Sequence, residues 1–343
     1  MTAITLDLRP LVRVLAGVGA ALAIAALLVL ASGKNPLVAY GSLAQGAFGS
    51  WDRVAVALNK VAPYLLTALG VALCFRARVI NIGGEGQIAL GGLGAAWMAV
   101  TIPSAPPVVL VILCALAGAL AGAMWAGLAA LIRLTRHVHE VLVTLLLNFV
   151  GVLLVAEALH GDLGEPGAGF PQSPLFARGA WLPKLIPGTD LHVGILIAVA
   201  AVVVVHGLLW HTPFGFRLRV RGASEKAAAY AGIDIGRSFM GVMLIGGALA
   251  GLAGAIDVLG VHYRLIEGFS SGFGFTAVSI ALIGGLSPLG ILPAALFFGF
   301  LETGALAMQR AVGVPSPLVA VIQGLTMVFV LAAIALGGAR QRV

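Results

Sequence analysis

The chain has 343 residues, of which 60% are hydrophobic and only 10% are charged. Soluble domains contain about 25% charged residues, so this composition excludes a water-soluble fold. The formal net charge is +7, but the basic residues are scattered at the ends of apolar stretches and do not form one patch. This distribution argues against nucleic-acid binding and indicates a membrane topology signal.

Apolar stretches near the length needed to cross roughly 30 Å of hydrocarbon recur along the whole sequence. They predict an all-α membrane protein, a polytopic bundle of about ten transmembrane helices in a single domain over residues 1–343. Two stretches, 61–75 and 274–286, are short for a full crossing, so broken or short helices are expected near 61–92 and 272–293. The predicted segments lie near 12–32, 61–75, 86–102, 107–132, 141–159, 190–210, 238–258, 274–286, 290–309 and 316–336.

The first stretch follows Arg9 and Arg13 and has the outline of a signal peptide. Its uncharged run, residues 14–33, is longer than a usual signal core and is followed by many more spans, so an uncleaved first transmembrane helix is favoured. With a cytoplasmic N-terminus and a crossing at every segment, thirteen of the twenty Lys and Arg residues fall inside, Arg340 and Arg342 among them. The positive-inside rule therefore predicts a multi-pass protein with both termini in the cytoplasm.

Two loops interrupt this series of segments. Residues 160–189 are rich in Gly and Pro and fall outside. Residues 211–237 form the most basic stretch and fall inside. This second loop contains a helix-compatible run, residues 223–231, with Gly232 in place to end it as a C-cap.

The stretch FRARVINIGGEGQIALGG at residues 75–92 places Asn81, Glu85 and Gln87 among glycines directly before an apolar run. Glycine weakens a helix, and polar groups at membrane depth are tolerated only where they are buried in protein or line a cavity. These residues are therefore candidates for the substrate pathway. The alternative for Glu85 is that it caps the positive N-terminal end of the next helix.

Four further polar residues lie within predicted spans and are pathway candidates. Asn148 lies in the fifth span, although a lone amide is more often a hydrogen-bond partner between helices. Glu302 lies in the middle of an apolar run, where an unpaired carboxylate would be costly. Thr276 and Ser279 lie in GFGFTAVSIALIGGLSPLGILP, residues 272–293, which is interrupted by glycines and Pro288 as residues 75–92 are.

Signatures of catalysis are missing from the sequence. It contains no GxxxxGK[ST] and no HExxH motif. We therefore expect no catalytic residue, no metal site, no cofactor and no ATP bound by this chain. Cys74 and Cys114 lie inside apolar runs and are interpreted as small buried hydrophobic residues. The GxxxG pairs Gly118–Gly122 and Gly247–Gly251 indicate close helix packing and no particular function.

Three separated motifs and a fourth segment resemble bacterial permeases of the ribose, simple-sugar and nucleoside branch of ATP-binding-cassette (ABC) importers. The stretch at 75–92 is similar to the family hallmark, and its Glu-Gly-Gln form is most like the nucleoside-type permease. EVLVTLLLN at 140–148 and GFTAVSIALIGGLSPLG at 274–290 are similar to two further segments. RVRGASEKAAAYAGI at 219–233 resembles the ATPase-coupling loop, although Ser224 and Glu225 stand where the family usually has Asn-Pro. The residues that match the coupling loop are Gly222, Ala227, Ala228, Tyr230, Ala231, Gly232 and Ile233.

The resemblance implies a type II ABC importer-like fold in the bacterial inner membrane and no enzymatic activity in this chain. It implies translocation of nucleosides or related small polar solutes by alternating access. The expected partners are two ATPase subunits at residues 219–233 of the 211–237 loop, an external substrate-binding protein, membrane lipid and a second permease subunit, in a heterodimer or a homodimer. The alternatives are a simple-sugar permease, an ion-coupled secondary transporter and an intramembrane enzyme. For the basic loop alone, the alternative is contact with anionic lipid.

Overall fold

A computed structural model of the chain describes residues 9–339, and these are mostly helical. A 3-10 turn lies at Arg178–Ala180 and a π-helical turn at Val258–His262, and β-structure in the described residues is limited to isolated bridges. The helices are α1 (Arg9–Ala31), α2 (Pro36–Phe48), α3 (Trp51–Arg76), α4 (Gly84–Thr101), α5 (Pro107–Arg136), α6 (Glu140–His160), α7 (Gly194–His211), α8 (Pro213–Ala223), α9 (Glu225–Tyr230), α10 (Ile235–Asp257), α11 (Phe273–Ile283), α12 (Pro288–Val312) and α13 (Ser316–Ala339).

The all-α membrane class is confirmed, and each of the ten predicted segments coincides with a helix. The expected number of spans is too high. Among the described residues six helices are long and apolar enough to cross a membrane, and the pair α1 and α2, bent by 120°, raises the number to seven. Helix α4 is not among the six because glycines, Glu85 and Gln87 dilute its apolar character. Arg340 and Arg342, which entered the charge count, lie outside the described residues.

The two stretches expected to be short differ from each other. Helix α3 has 26 residues and begins at Trp51, so the expectation of a short helix at 61–75 is wrong. The sequence pattern misplaced its start because Asp52, Arg53 and Lys60 lie inside the helix. Helix α11 has only 11 residues, about 16 Å of rise, and cannot cross the hydrocarbon alone. The expected breaks are present at residues 77–83 and 284–287, where the chain is not helical.

The described chain divides into two compact units, one comprising Leu58–Leu296 and the other the residues before and after it. The core of the Leu58–Leu296 unit is formed by α4, α5 and α10. A Cβ added to Gly122 would lie 2.3 Å from the Gly247 carbonyl oxygen, and one added to Gly251 would lie 2.3 Å from that of Gly118. The backbones of α5 and α10 therefore meet directly, as the GxxxG pairs predict.

The other unit contains α1, α2, α13 and the second part of α12. Its core consists of buried apolar residues from these helices, and the rings of Phe48 and Phe300 stack with centroids 4.8 Å apart. The Tyr40 hydroxyl donates a hydrogen bond to the Leu22 carbonyl, which fixes α2 against α1. Asn35 caps α2 by accepting a hydrogen bond from the Leu37 amide at 2.9 Å.

Within the Leu58–Leu296 unit, the Gly- and Pro-rich loop after α6 pairs with the segment between α10 and α11. The Ser173 amide donates to the Leu265 carbonyl at 2.8 Å, and the Phe176 amide donates to the Tyr263 carbonyl at 2.9 Å. The rings of Trp181 and Tyr263 stack 4.2 Å apart. The loop is thus an ordered part of the fold, and it restrains the chain immediately before α11.

Candidate functional site

The glycine-rich hallmark forms the non-helical connection between α3 and α4. Asn81 is 1% exposed, and its side-chain oxygen accepts a hydrogen bond from the Gly83 amide at 2.9 Å. The side-chain amides of Asn81 and Gln87 bond to each other at 3.1 and 3.3 Å. These two candidates are therefore brought together, and their bonds fix the start of α4.

Asn148 of α6 binds the same connection from the opposite side. Its side-chain oxygen accepts from the Gly86 amide at 2.8 Å, and its side-chain nitrogen donates to the Ile82 carbonyl at 2.8 Å. The Thr144 hydroxyl, one turn earlier on α6, accepts from the Ile82 amide at 3.3 Å. Backbone groups at a break in a membrane helix need such partners because lipid supplies none. In this structure Asn148 acts as a hydrogen-bond partner between helices, the alternative that its sequence context favoured.

Glu85 lies in the first turn of α4 and is 6% exposed. Its carboxylate accepts hydrogen bonds from the Ser270 hydroxyl at 2.7 Å, the Gly272 amide at 2.9 Å and the Gly274 amide at 2.8 Å. These donors lie at the start of α11. Glu85 therefore lies at the N-terminus of its own helix, α4, and also binds the N-terminus of the distant helix α11. Both helix dipoles favour a negative charge at this point.

The remaining pathway candidates lie elsewhere. Thr276 and Ser279 are partly buried on α11, and within the described residues neither hydroxyl forms a hydrogen bond. Glu302 is partly buried on α12, in the other compact unit, and has an interaction partner of its own. The structure therefore joins Asn81, Gln87, Asn148 and Glu85 around one helix break, and the hydroxyls of Thr276 and Ser279 lie outside this network.

The basic loop contains two short helices, α8 and α9. Ser224 separates them and caps α9, because its hydroxyl accepts a hydrogen bond from the Ala227 amide at 3.2 Å. Ser224 thus supplies the N-cap at the position where this sequence departs from the family pattern, and Glu225 follows in the first turn, where the helix dipole favours an acid. The single helix expected over residues 223–231 is shorter, because it begins only after Ser224.

Gly232 ends α9 in a Schellman motif. The Gly232 amide donates to the Ala229 carbonyl and the Ile233 amide to the Ala228 carbonyl, both at 3.0 Å, and Gly232 has a φ of 76°. The predicted C-cap is therefore present. Ala228 is fully buried whereas Tyr230 is 93% exposed, so α9 packs on one face and presents an aromatic ring on the other.

Within this loop, a buried arginine packs helix α8 against the bundle. Arg221 is 5% exposed, with its guanidinium 5.3 Å from the Phe239 ring centroid. Burial lowers the pKa of Arg221, and the nearby Glu225 and Glu140 carboxylates oppose that shift. Glu140 itself pairs with Arg133 at 3.0 Å. The basic character of the loop is thus partly structural, since some of its charges are packed against the helices and not offered to lipid or a partner.

Sequence reasoning missed a buried polar group at the opposite end of α10. Asp257 is 4% exposed and lies 3.3 Å from His262 across the π-helical turn. His192 is fully buried nearby, and burial lowers the pKa of His192 to about 4, although Asp257 acts in the opposite direction. An acid at the end of the apolar run 238–258 is the sequence signal that could have revealed this cluster.

The sequence matches, over residues 54–331, the family described as the permease component of the branched-chain amino acid transport system. The chain belongs to this family. It is 37% identical to a glucose ABC transporter permease of Haloferax volcanii, over 91% of this chain and 84% of that protein. It is 33% identical to a guanosine ABC transporter permease of Bacillus subtilis (94% and 92%) and 30% identical to a second one from that organism (73% and 80%).

The chain is thus a multi-pass permease subunit of an ABC importer and not an enzyme, as the sequence motifs predicted. Membership of the family implies partner ATPases and a substrate-binding protein. The names of the relatives differ in solute, so the family alone does not give the substrate of this chain.

Proposed function

We propose that this chain is one of two different permease subunits of an importer for nucleosides. The guanosine permease with 33% identity supports a nucleoside, because it aligns along nearly the whole of both chains. The presence of two distinct guanosine permease proteins in Bacillus subtilis, both similar to this chain, supports a heterodimer. Solute delivery would depend on the external binding protein, and alternating access would be driven by ATP bound to the partner ATPases, with no cofactor in this chain.

The observation that supports ATPase coupling most is the geometry of residues 224–233. Helix α9 is capped at both ends, is buried at Ala228 and exposes Tyr230. A short helix that is capped at both ends and exposes an aromatic ring offers a rigid docking surface, whereas a flexible basic loop would suffice for lipid contact. We place this loop in the cytoplasm because it is the most basic of the chain, and residues 160–189 outside because the membrane-length helix α7 separates the two loops. Both termini would also be cytoplasmic, which requires an even number of crossings.

For the solute route we favour Thr276 and Ser279 over the four hydrogen-bonded candidates. The α11 hydroxyls have no hydrogen-bond partner among residues 9–339, whereas Asn81, Glu85, Gln87 and Asn148 already bind backbone or each other. The latter group would shape the route. Glu302 remains a pathway candidate on α12.

A sugar importer is the second candidate function, because the relative with 37% identity is a glucose permease. An ion-coupled secondary transporter is not favoured, since the family couples to ATPases. The test is to produce the chain with the permease, ATPase and binding-protein genes that accompany it and to measure uptake of labelled guanosine and glucose into proteoliposomes. Guanosine uptake that requires ATP and both permeases supports the proposal. Uptake of glucose alone would favour the second candidate, and uptake by this chain without ATP would refute both.

A further inference from the structure

We propose that Arg76 and Glu85 form a two-point clamp that makes the half-helix α11 follow movements of the basic loop. The inference depends on the proposed function and concerns positioning residues, not groups that bind solute. Residues 76 and 85 end α3 and begin α4, so the clamp consists of the two sides of the break at 77–83.

Glu85 holds the N-terminal end of α11. Its two carboxylate oxygens accept three hydrogen bonds from residues 270, 272 and 274. The backbones also touch, because a Cβ added to Gly274 would lie 2.0 Å from the Glu85 amide nitrogen. The first residue of the helix, Phe273, packs edge-on against the Tyr64 ring of α3 at 5.0 Å. This end of α11 therefore cannot move without α3 and α4.

Arg76 holds the other end. The chain leaves α11 in a turn in which the Leu286 amide donates to the Ala281 carbonyl at 2.9 Å and Leu286 adopts a φ of 53°. This turn presents the Leu286 carbonyl to Arg76, whose Nε donates to it at 2.7 Å. The Arg76 guanidinium also lies 5.3 Å from the Trp210 ring centroid at the end of α7. A charged donor on a turn carbonyl gives a short, oriented contact.

Arg76 also meets the basic loop through its backbone. A Cβ added to Gly222 would lie 1.8 Å from the Arg76 carbonyl oxygen, so α8 touches the end of α3 with no side chain between them. Gly222 is two residues before Ser224, the N-cap of α9. Two contacting backbones cannot yield as a side chain would. A displacement of α9 would thus reach Arg76 directly, and the clamp would carry it to α11, where Thr276 and Ser279 lie.

The experiment uses the reconstituted importer with Phe275→Cys as a reporter of α11, since Phe275 is 42% exposed and is not a proposed solute contact, whereas Cys74 and Cys114 are buried. The rate of maleimide labelling is measured with and without ATP in wild type, Arg76→Gln and Glu85→Gln. Arg78→Gln is the matched control, because Arg78 is exposed two residues from Arg76. We expect both clamp variants to abolish the ATP-dependent change in labelling and to reduce uptake by about tenfold or more. ATP hydrolysis and the behaviour of the control should stay near the wild-type level.

The double variant should be no worse than either single variant, because both side chains hold one element. Persistence of the ATP-dependent labelling change in both variants, or losses that multiply in the double variant, would overturn the clamp. If either Gln variant fails to assemble, Arg76→Lys and Glu85→Asp are read by the same criteria. Labelling of the permease alone separates the two proposals. In the isolated permease, faster labelling of the Glu85→Gln variant than of the wild type supports the clamp, even if transport by the wild-type importer proves not to depend on ATP. Unchanged labelling in the isolated permease counts against the clamp.

Discussion

Replacing Asn148 by Ala removes the two hydrogen bonds that join α6 to the helix break. The buried Gly86 amide and the partly buried Ile82 carbonyl then lose their partner. In water-soluble proteins each such orphaned group costs about 1–3 kcal/mol. Hydrogen bonds between membrane helices average about 0.6 kcal/mol and reach about 1.7, because the separated helices find other partners in the membrane. We therefore expect a loss of about 1–3 kcal/mol in stability.

The assay is thermal unfolding of the purified permease in detergent. Asn148→Asp should also lose stability, since Asp retains the acceptor for the Gly86 amide but places a carboxylate oxygen against the Ile82 carbonyl. The control is Leu146→Ala on the same helix, because Leu146 is 55% exposed on the outer face. If Asn148→Ala lowered the midpoint no more than Leu146→Ala, the reasoning that Asn148 secures the break would be refuted.

Three further outcomes are expected. Gly122→Ala places a Cβ 2.3 Å from the Gly247 carbonyl oxygen and should destabilise the permease by about 1–3 kcal/mol. Gly207→Ala is the control, because Gly207 faces open space on α7 and its substitution should not destabilise the protein. Equal melting midpoints of the two variants would contradict this. The pKa of His192 is lowered by burial from 6.5 to about 4, so the unfolded chain binds the extra proton between these values. The free energy of unfolding should therefore fall as the pH decreases from 6.5 to about 4, and it should not change with the charge of His192 above pH 6.5. Thermal melts recorded across this pH range should show no such fall for the His192→Gln variant. Ser224→Ala removes the cap of α9, worth about 1 kcal/mol, and should reduce ATP-dependent uptake about fivefold at unchanged expression; undiminished uptake would show that the cap is dispensable.

The helix breaks and the glycine contacts were predictable because they depend on local composition. Glycines at 83, 84 and 86 weaken the start of α4, and the GxxxG spacing places small residues on one helix face. The caps of α9 were accessible for the same reason, since Ser224 and Gly232 act on backbone groups within a few residues.

The partners of the polar residues could not be predicted from local pattern. Glu85 binds groups about 185 to 189 positions away along the chain, and Arg76 binds Leu286 at a separation of 210. Hydropathy places such residues at a membrane-helix end without indicating which distant backbone they satisfy. Helix α2 was missed because it has no membrane-length apolar stretch of its own. It follows α1 directly and is bent by 120° from it.

The central claim is that residues 224–233 project into the cytoplasm and bind an ATPase. It is tested most directly by Tyr230→Cys, since Tyr230 is 93% exposed and the native cysteines are buried. A membrane-impermeant maleimide should fail to label this variant in intact cells, should label it in inside-out vesicles, and should be blocked when the ATPase subunits are bound. Labelling in intact cells, or labelling that the ATPase subunits leave unchanged, would contradict the account.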